Sequence, residues 1–261
     1  MATVKTDDYL VFCDGLRRIC GIDLTQYKRP QMERRLRSFF ERRGFIQLAD
    51  ALPTLAPGSP ELDALLDRVT INVSQLWRHP EQWAWLQNEI LPQIAASGRL
   101  RAWSAGCSYG AEAYTLAAVA RTCIPRAQIS ILGTDIDHRM VARASEGMFS
   151  PEDARSAPPE AMARHFERVH GGWRAKPELR SMTRFEVGDL LRLTPPRAAY
   201  DLVLCRNTVI YFAEPIRDEL HARLAGALRP GGCLVIGATE RVSFPAELGL
   251  TPLHPFIFRK A

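Results

Sequence analysis

Leu100-Arg101-Ala102-Trp103-Ser104-Ala105 runs into Gly106-Cys107-Ser108-Tyr109-Gly110 and then into Ala111-Glu112-Ala113-Tyr114-Thr115-Leu116-Ala117. The first piece is a short, largely apolar run that reads as a strand. The last is an alanine-rich helix former. The glycine-bearing turn between them allows backbone conformations and close approaches that a Cβ forbids. Such a strand-turn-helix unit is either a tight packing turn of an α/β protein or the place where the backbone meets a nucleotide-like ligand.

Downstream, short apolar runs alternate with helical patterns. ISILGTD (129–135), RFEVGD (184–189), YDLVLC (200–205) and CLVIGAT (233–239) read as strands; residues 111–121, 140–146 and 215–228 read as the helices between them. Alternation of this kind predicts a parallel, doubly wound sheet. The stretch 149–184 is too long for a simple connection. Its helical piece (159–168) and Gly171-Gly172 turn predict a small inserted subdomain with its own hairpin, at about 165–187.

Upstream the pattern is purely helical. Met32, Leu36, Phe39 and Phe40 recur at helical spacing and Gly44 supplies a stop, while Arg34, Arg37, Arg42 and Arg43 occupy the other faces. Ser59-Pro60 is an N-cap followed by a first-turn proline. A further helix is expected over 81–94. The division expected is a helical domain over 1–75, a linker helix over 76–97 and an α/β domain over 98–261.

Composition sets outer bounds. The 261 residues are 46% hydrophobic and 24% charged, ordinary for a globular protein. There is no apolar run of membrane-spanning length. The first eight residues are polar and do not read as a signal peptide. Six scattered cysteines without CxxC pairing suit a reducing compartment and offer no zinc site, so a cytoplasmic protein without a metal is expected. A net charge of +5 favours acidic partners without choosing among nucleic acid, an acidic protein surface and a membrane.

The second strand ends in Gly133-Thr134-Asp135, about 25 residues after the glycine turn. An acid at that place accepts hydrogen bonds from ribose hydroxyls. Dinucleotide enzymes share this device, but they cradle a pyrophosphate with GxGxxG. Here the pattern is GxxxG followed by Glu112. That carboxylate would repel a pyrophosphate and suits the ammonium of a methionine moiety, which favours S-adenosylmethionine over NAD. In Gly188-Asp189-Leu190, Asp189 is either an acceptor for an adenine amino group, with Leu190 against the ring, or a solvated turn residue.

Several segments together resemble the chemotaxis protein methyltransferase family, the CheR type. They are TINVSQLWR (70–78), WSAGCSYGAEAYTLA (103–117), LGTDIDHRMVARASEGMF (132–149), DLVLCRNTVIYF (201–212) and LRPGGCLVIGATE (228–240). The N-terminal stretch GIDLTQYKRPQMERRLRSFFERRG (21–44) is similar to that family's helical domain. The resemblance implies a helical N-terminal domain, a Rossmann-like methyltransferase domain and a small inserted β-subdomain. It implies methyl transfer from S-adenosylmethionine to glutamate side chains on the cytoplasmic helical bundle of chemoreceptors, leaving S-adenosylhomocysteine, by a monomeric enzyme.

Carried over by motif, Asn72, Ser74 and Arg78 would approach the methionine end of the cofactor. Gly106 and Glu112 would hold that end, Asp135 the ribose, and Asp189 and Leu190 the adenine. Cys205, Arg206 and Tyr211 would close the pocket, with Arg78 and Tyr211 also serving catalysis. The basic helix, Arg34 and Arg37 above all, would receive the glutamate-rich receptor helices.

The chain departs from the family pattern in three places. Gly110-Ala111-Glu112-Ala113-Tyr114 stands where GEEPY is common, keeping the second glutamate. Leu76-Trp77 replaces two aromatics, and Asp189 replaces a common asparagine. The segment 168–184 is short, resembling members that act without a receptor pentapeptide tether. Two other functions compete. A base-amino methyltransferase typically carries an Asn/Asp-Pro-Pro-aromatic motif where this chain has Leu204-Cys205-Arg206-Asn207. A non-catalytic relative would bind the cofactor or a receptor alone.

Overall fold

The computed structural model describes residues 7–70 and 74–261. They fall into two compact units: residues 7–70 with Tyr211–Ile216, and residues 74–210 with 217–261.

The first unit is helical. Helix α1 (Asp8–Cys20) is capped by Asp7, whose side chain accepts from the Tyr9 and Leu10 N–H groups. Helix α2 (Arg29–Glu41) starts with a proline in its first turn and buries Met32, Leu36, Phe39 and Phe40, the stripe read from the sequence. Phe40 makes edge contacts with both Phe12 and Phe39. Helix α3 (Pro60–Val69) is capped by Ser59, whose hydroxyl accepts from the Leu62 N–H at 3.2 Å. Asp8 ties the start of α1 to the segment between α2 and α3: its carboxylate accepts from the Leu48 and Ala49 N–H groups at 3.0 Å each.

The second unit begins with helix α4 (Pro80–Trp85), which widens into a π-helical turn (Leu86–Ile90) before α5 (Leu91–Ile94). The expected single helix is therefore interrupted. Pro92 has no N–H to donate four residues back and its ring crowds that carbonyl, which a wider turn relieves.

The strands of the large sheet are β1 (Arg99–Ala105), β2 (Gln128–Asp135), β6 (Thr183–Val187), β7 (Tyr200–Cys205), β8 (Leu228–Ile236), β9 (Leu250–His254) and β10 (Ile257–Lys260), in the order β6-β2-β1-β7-β8-β10-β9. Five of them are parallel; β10 runs antiparallel to both β8 and β9. The sheet is thus mixed rather than wholly parallel. Helices α6 (Ala111–Cys123), α7 (His138–Glu146) and α10 (Glu214–Ala227) are the connections. In α6, residues 111–120 are all buried, because small alanines let the helix lie close on the sheet.

Between β2 and β6 the chain forms a second, antiparallel sheet of β3 (Met148–Phe149), β5 (Gly172–Ala175) and β4 (Phe166–Val169), with α8 (Pro159–His165) and α9 (Pro177–Met182). The hairpin turns at His170-Gly171, and Gly172 opens β5 opposite Val169. Residues 183–187 of the expected insert are instead a strand of the large sheet. The helix expected to reach Arg168 ends at His165. Phe166 is pulled into strand pairing with Ala175 and packs edge-on to Phe149 at 5.8 Å.

Candidate active site

In an open α/β sheet, ligands bind outside the carboxyl ends of the strands. Asp135 ends β2 and is buried. Its carboxylate accepts from the Ser108 N–H at 2.7 Å and from the Asp137 N–H at 3.0 Å, so it ties the glycine turn to the end of β2. Burial raises its pKa, and the backbone donors oppose that rise. Each carboxylate oxygen has a second lone pair for a hydroxyl donor.

Glu112, in the first turn of α6, is buried too. It accepts from the Ser104 hydroxyl at 2.7 Å and pairs with Arg206 at 3.4 Å. Burial pushes its carboxyl above the ordinary range, against the pull of Arg206. Two buried carboxylates with acceptor capacity at neighbouring strand ends fit a ligand that brings a cation and hydroxyl groups. S-adenosylmethionine, with its ammonium and its ribose, is such a ligand.

Arg206 follows β7 and is 8% exposed. Its guanidinium donates to the Gln82 side chain at 2.8 Å and to the Arg78 carbonyl at 2.6 Å, and lies 5.2 Å from the Trp83 ring centre. The Trp83 indole N–H donates to the same carbonyl at 3.0 Å. Around Arg78 the backbone is strained: Trp77 and His79 have φ of 54° and 58°. Non-glycine residues hold such angles only where their surroundings over-determine them. The surroundings do so here. The Trp77 N–H donates to the Thr115 hydroxyl at 3.1 Å, the Leu76 N–H donates to the Asp153 carbonyl at 2.9 Å, and the Tyr109 hydroxyl bonds the Ser74 carbonyl.

The structure therefore brings Arg78, Glu112 and Arg206 into one bonded network, while Ser74 and Asp135 are each bonded to the glycine turn, at Tyr109 and Ser108. Gly106, at φ 81°, plays a part the sequence does not disclose: an added Cβ would meet the Thr208 hydroxyl at 2.5 Å, so glycine admits the turn after β7. Asp189 accepts from the Leu191 N–H at 2.9 Å and lies 3.4 Å from Arg192, and Leu190 beside it is buried. Cys205 is wholly buried, and burial holds its thiol well above its ordinary pKa, so it contributes packing.

Tyr211 belongs to the helical unit, with the Arg35 guanidinium 5.6 Å from its ring centre. Asn72 lies outside the described residues. On α2, Arg34 is exposed, whereas Arg37 is engaged: it bonds Glu33 at 2.7 Å and Asp8 at 3.2 Å. Both arginines line an open groove of about 400 Å³ with Pro30, Glu33, Ser38 and Glu41. Ser104, Gln82 and Thr208 escaped sequence reading. Only Gln82, in the first turn of the helix after Arg78, carried a positional signal.

A parallel Rossmann-like sheet closed by an antiparallel strand between β8 and the edge, with acids at the ends of β1–α6 and β2, defines an S-adenosylmethionine-dependent methyltransferase. Comparison with known proteins gives the particular kind. Residues 72–253 match the family model described as CheR methyltransferase, SAM binding domain, and residues 7–70 match its all-alpha domain. The chain is 32% identical over 255 residues to a chemotaxis protein methyltransferase of Listeria innocua, covering 97% of each chain. It is 30% identical to chemotaxis protein methyltransferase 1 of Pseudomonas aeruginosa, again covering 97% of each. Among solved structures, an S-adenosylmethionine dependent methyltransferase from Mesorhizobium loti aligns at 23% identity and a TM-score of 0.32, covering 56% of this chain and 51% of that one. The chain belongs to the CheR methyltransferase family.

Among the described residues no helix is long and apolar enough to cross a membrane.

Proposed function

We propose that the protein esterifies glutamate side chains on the cytoplasmic helical bundle of chemoreceptors, acting as a monomer in the cytoplasm. The observation that carries this reading is the pinned turn at Arg78. Its carbonyl is fixed by Arg206 and Trp83 in the network that contains Glu112, so a cationic side chain is presented from a preset backbone.

S-adenosylmethionine, when bound, supplies an electrophilic methyl group. Glu112 would hold its amino group, Asp135 its ribose, and Asp189 and Leu190 its adenine; Ser74 and Asn72 would line its methionine end. The substrate carboxylate has a pKa of about 4.3 and is already ionised at neutral pH, so no general base is needed. The work left to the protein is alignment and exclusion of water. Arg78 orients the carboxylate, and Tyr211 donates a hydrogen bond at the reacting end.

The test is transfer of tritiated methyl from S-adenosylmethionine to receptor cytoplasmic fragments, followed by mild alkali. Label on the receptor that leaves as volatile methanol is the expected result. Alkali-stable label, or label on nucleic acid instead, defeats the reading.

Arg34 steers the acidic substrate helix. It is the cleaner probe of the α2 face, because reversing Arg37 would set a carboxylate against Glu33 and Asp8. Arg34→Glu is expected to lower kcat/KM several-fold at low salt and much less at about 0.5 M salt, where the Debye length is only a few Å. A salt-independent loss, or none at all, removes steering from its role.

A further inference from the structure

The turn that follows β7 is held by a residue from the next strand's loop. Glu240 lies just past β8 and is 3% exposed. Its carboxylate accepts from the Gly237 N–H at 2.6 Å, the Asn207 N–H at 3.0 Å and the Val209 N–H at 3.0 Å. One buried carboxylate thus gathers the backbone donors of two loops at the carboxyl end of the sheet. The turn takes a left-handed step at Asn207, φ 59°, an angle that asparagine tolerates better than most residues. The packing is close as well: a Cβ on Gly237 would meet the Asn207 nitrogen at 2.7 Å and the Glu240 carboxylate at 2.8 Å. A tight turn fixed by several directed bonds to one buried carboxylate is a conformation that the fold holds firmly.

The turn lies between chemically assigned positions. Arg206 precedes Asn207, Tyr211 follows Ile210, and Thr208 packs against Gly106 of the cofactor turn. We propose that Glu240 is a positioning residue for methyl transfer, fixing the Asn207–Ile210 turn and through it the aim of Arg206 and the packing of Thr208 on the cofactor turn. This rests on the reading of the chain as a glutamate methyltransferase. It adds a residue that touches neither substrate nor cofactor. Asp135 ends β2 and Asp189 and Leu190 follow β6, strands separated from β8 by β1 and β7, so the ribose and adenine contacts should be largely spared and the loss should fall chiefly on kcat.

The test uses Glu240→Gln in the full chain. The amide turns one acceptor oxygen into a donor facing N–H groups. Amide exchange across residues 207–210 should quicken by about tenfold or more while β7 stays protected. The kcat for receptor methylation should fall by about tenfold or more, because small misplacements at a reacting centre are expensive. Affinity for S-adenosylhomocysteine should stay within about threefold and the melting midpoint within a few degrees.

Asn207→Gly is the second variant. Glycine accepts φ 59° freely and loosens the turn without disturbing the buried carboxylate. It should show the same selective loss, smaller in size, and it decides the matter if Glu240→Gln does not fold. Unchanged exchange at 207–210 overturns the proposal whatever the activity. So does a fall in kcat that merely tracks lost cofactor affinity or stability. An inactive wild-type chain with quickened exchange in the variant would instead fault the glutamate reading and leave the holding role of Glu240 intact.

Discussion

Arg78→Ala is expected to lower turnover on receptor fragments by at least about two orders of magnitude, with the protein still folded and still binding S-adenosylhomocysteine. The expectation follows from which part of Arg78 does what. Its carbonyl is the structural anchor, taking hydrogen bonds from Arg206 at 2.6 Å and from the Trp83 indole at 3.0 Å. Alanine keeps that carbonyl. The left-handed angles belong to Trp77 and His79, so alanine at 78 is not asked to adopt one. The side chain is half-buried, and in the proposed reading its charge orients the incoming carboxylate. Its removal therefore acts on alignment. Arg78→Lys should recover only part of the loss, because an ammonium cannot make the bidentate, planar contact of a guanidinium. Near-normal kcat for Arg78→Ala at saturating receptor would remove Arg78 from catalysis.

The fold was legible where periodicity and turn chemistry agree. The α2 stripe, the Ser59-Pro60 start of α3 and the strands around the glycine turn all appear as the residues imply, since each is decided by local pattern. What escaped was decided by tertiary partners. Residues 250–260 carry no strong alternation, yet form β9 and β10 because the open edge of β8 offers them a ladder. Phe166 leaves its helix for an aromatic cluster. The same division holds at the site. Glu112 and Asp135 announce themselves by their spacing from the glycine turn. The bond of Glu112 to Arg206 and the clasp of Asp135 on Ser108 join residues distant in sequence and leave no local trace. Gly106 was legible as a required glycine, but the neighbour that requires it, Thr208, was not. Arg37 read as a free cation on a basic face, and the structure commits it to Glu33 and Asp8.

Arg206→Leu tests the network from its centre and should be the most destabilising single change at the site, by about 3–5 kcal/mol, as for other broken buried ion pairs. The substitution keeps much of the apolar volume against Trp83 but leaves the Glu112 carboxylate, the Gln82 carbonyl and one acceptor site on the Arg78 carbonyl short of a donor. The loss should depend on pH in a definite direction. Burial already raises the Glu112 carboxyl above its ordinary value of 4.5, and the charge of Arg206 is the main influence pulling it down. Without Arg206 the folded-state value rises further while the unfolded value does not change. The folded variant then binds more protons than the unfolded chain between those two values, so its stability falls as pH rises through that window and returns as pH is lowered toward 4.5. The difference between variant and wild type, measured by urea unfolding at several pH values, should shrink on acidification. Adding Glu112→Gln to Arg206→Leu removes the stranded charge and should regain part of the lost stability at neutral pH, a positive coupling in a double-mutant cycle. A pH-independent difference, with strictly additive losses, would mean that the two side chains do not share one electrostatic network.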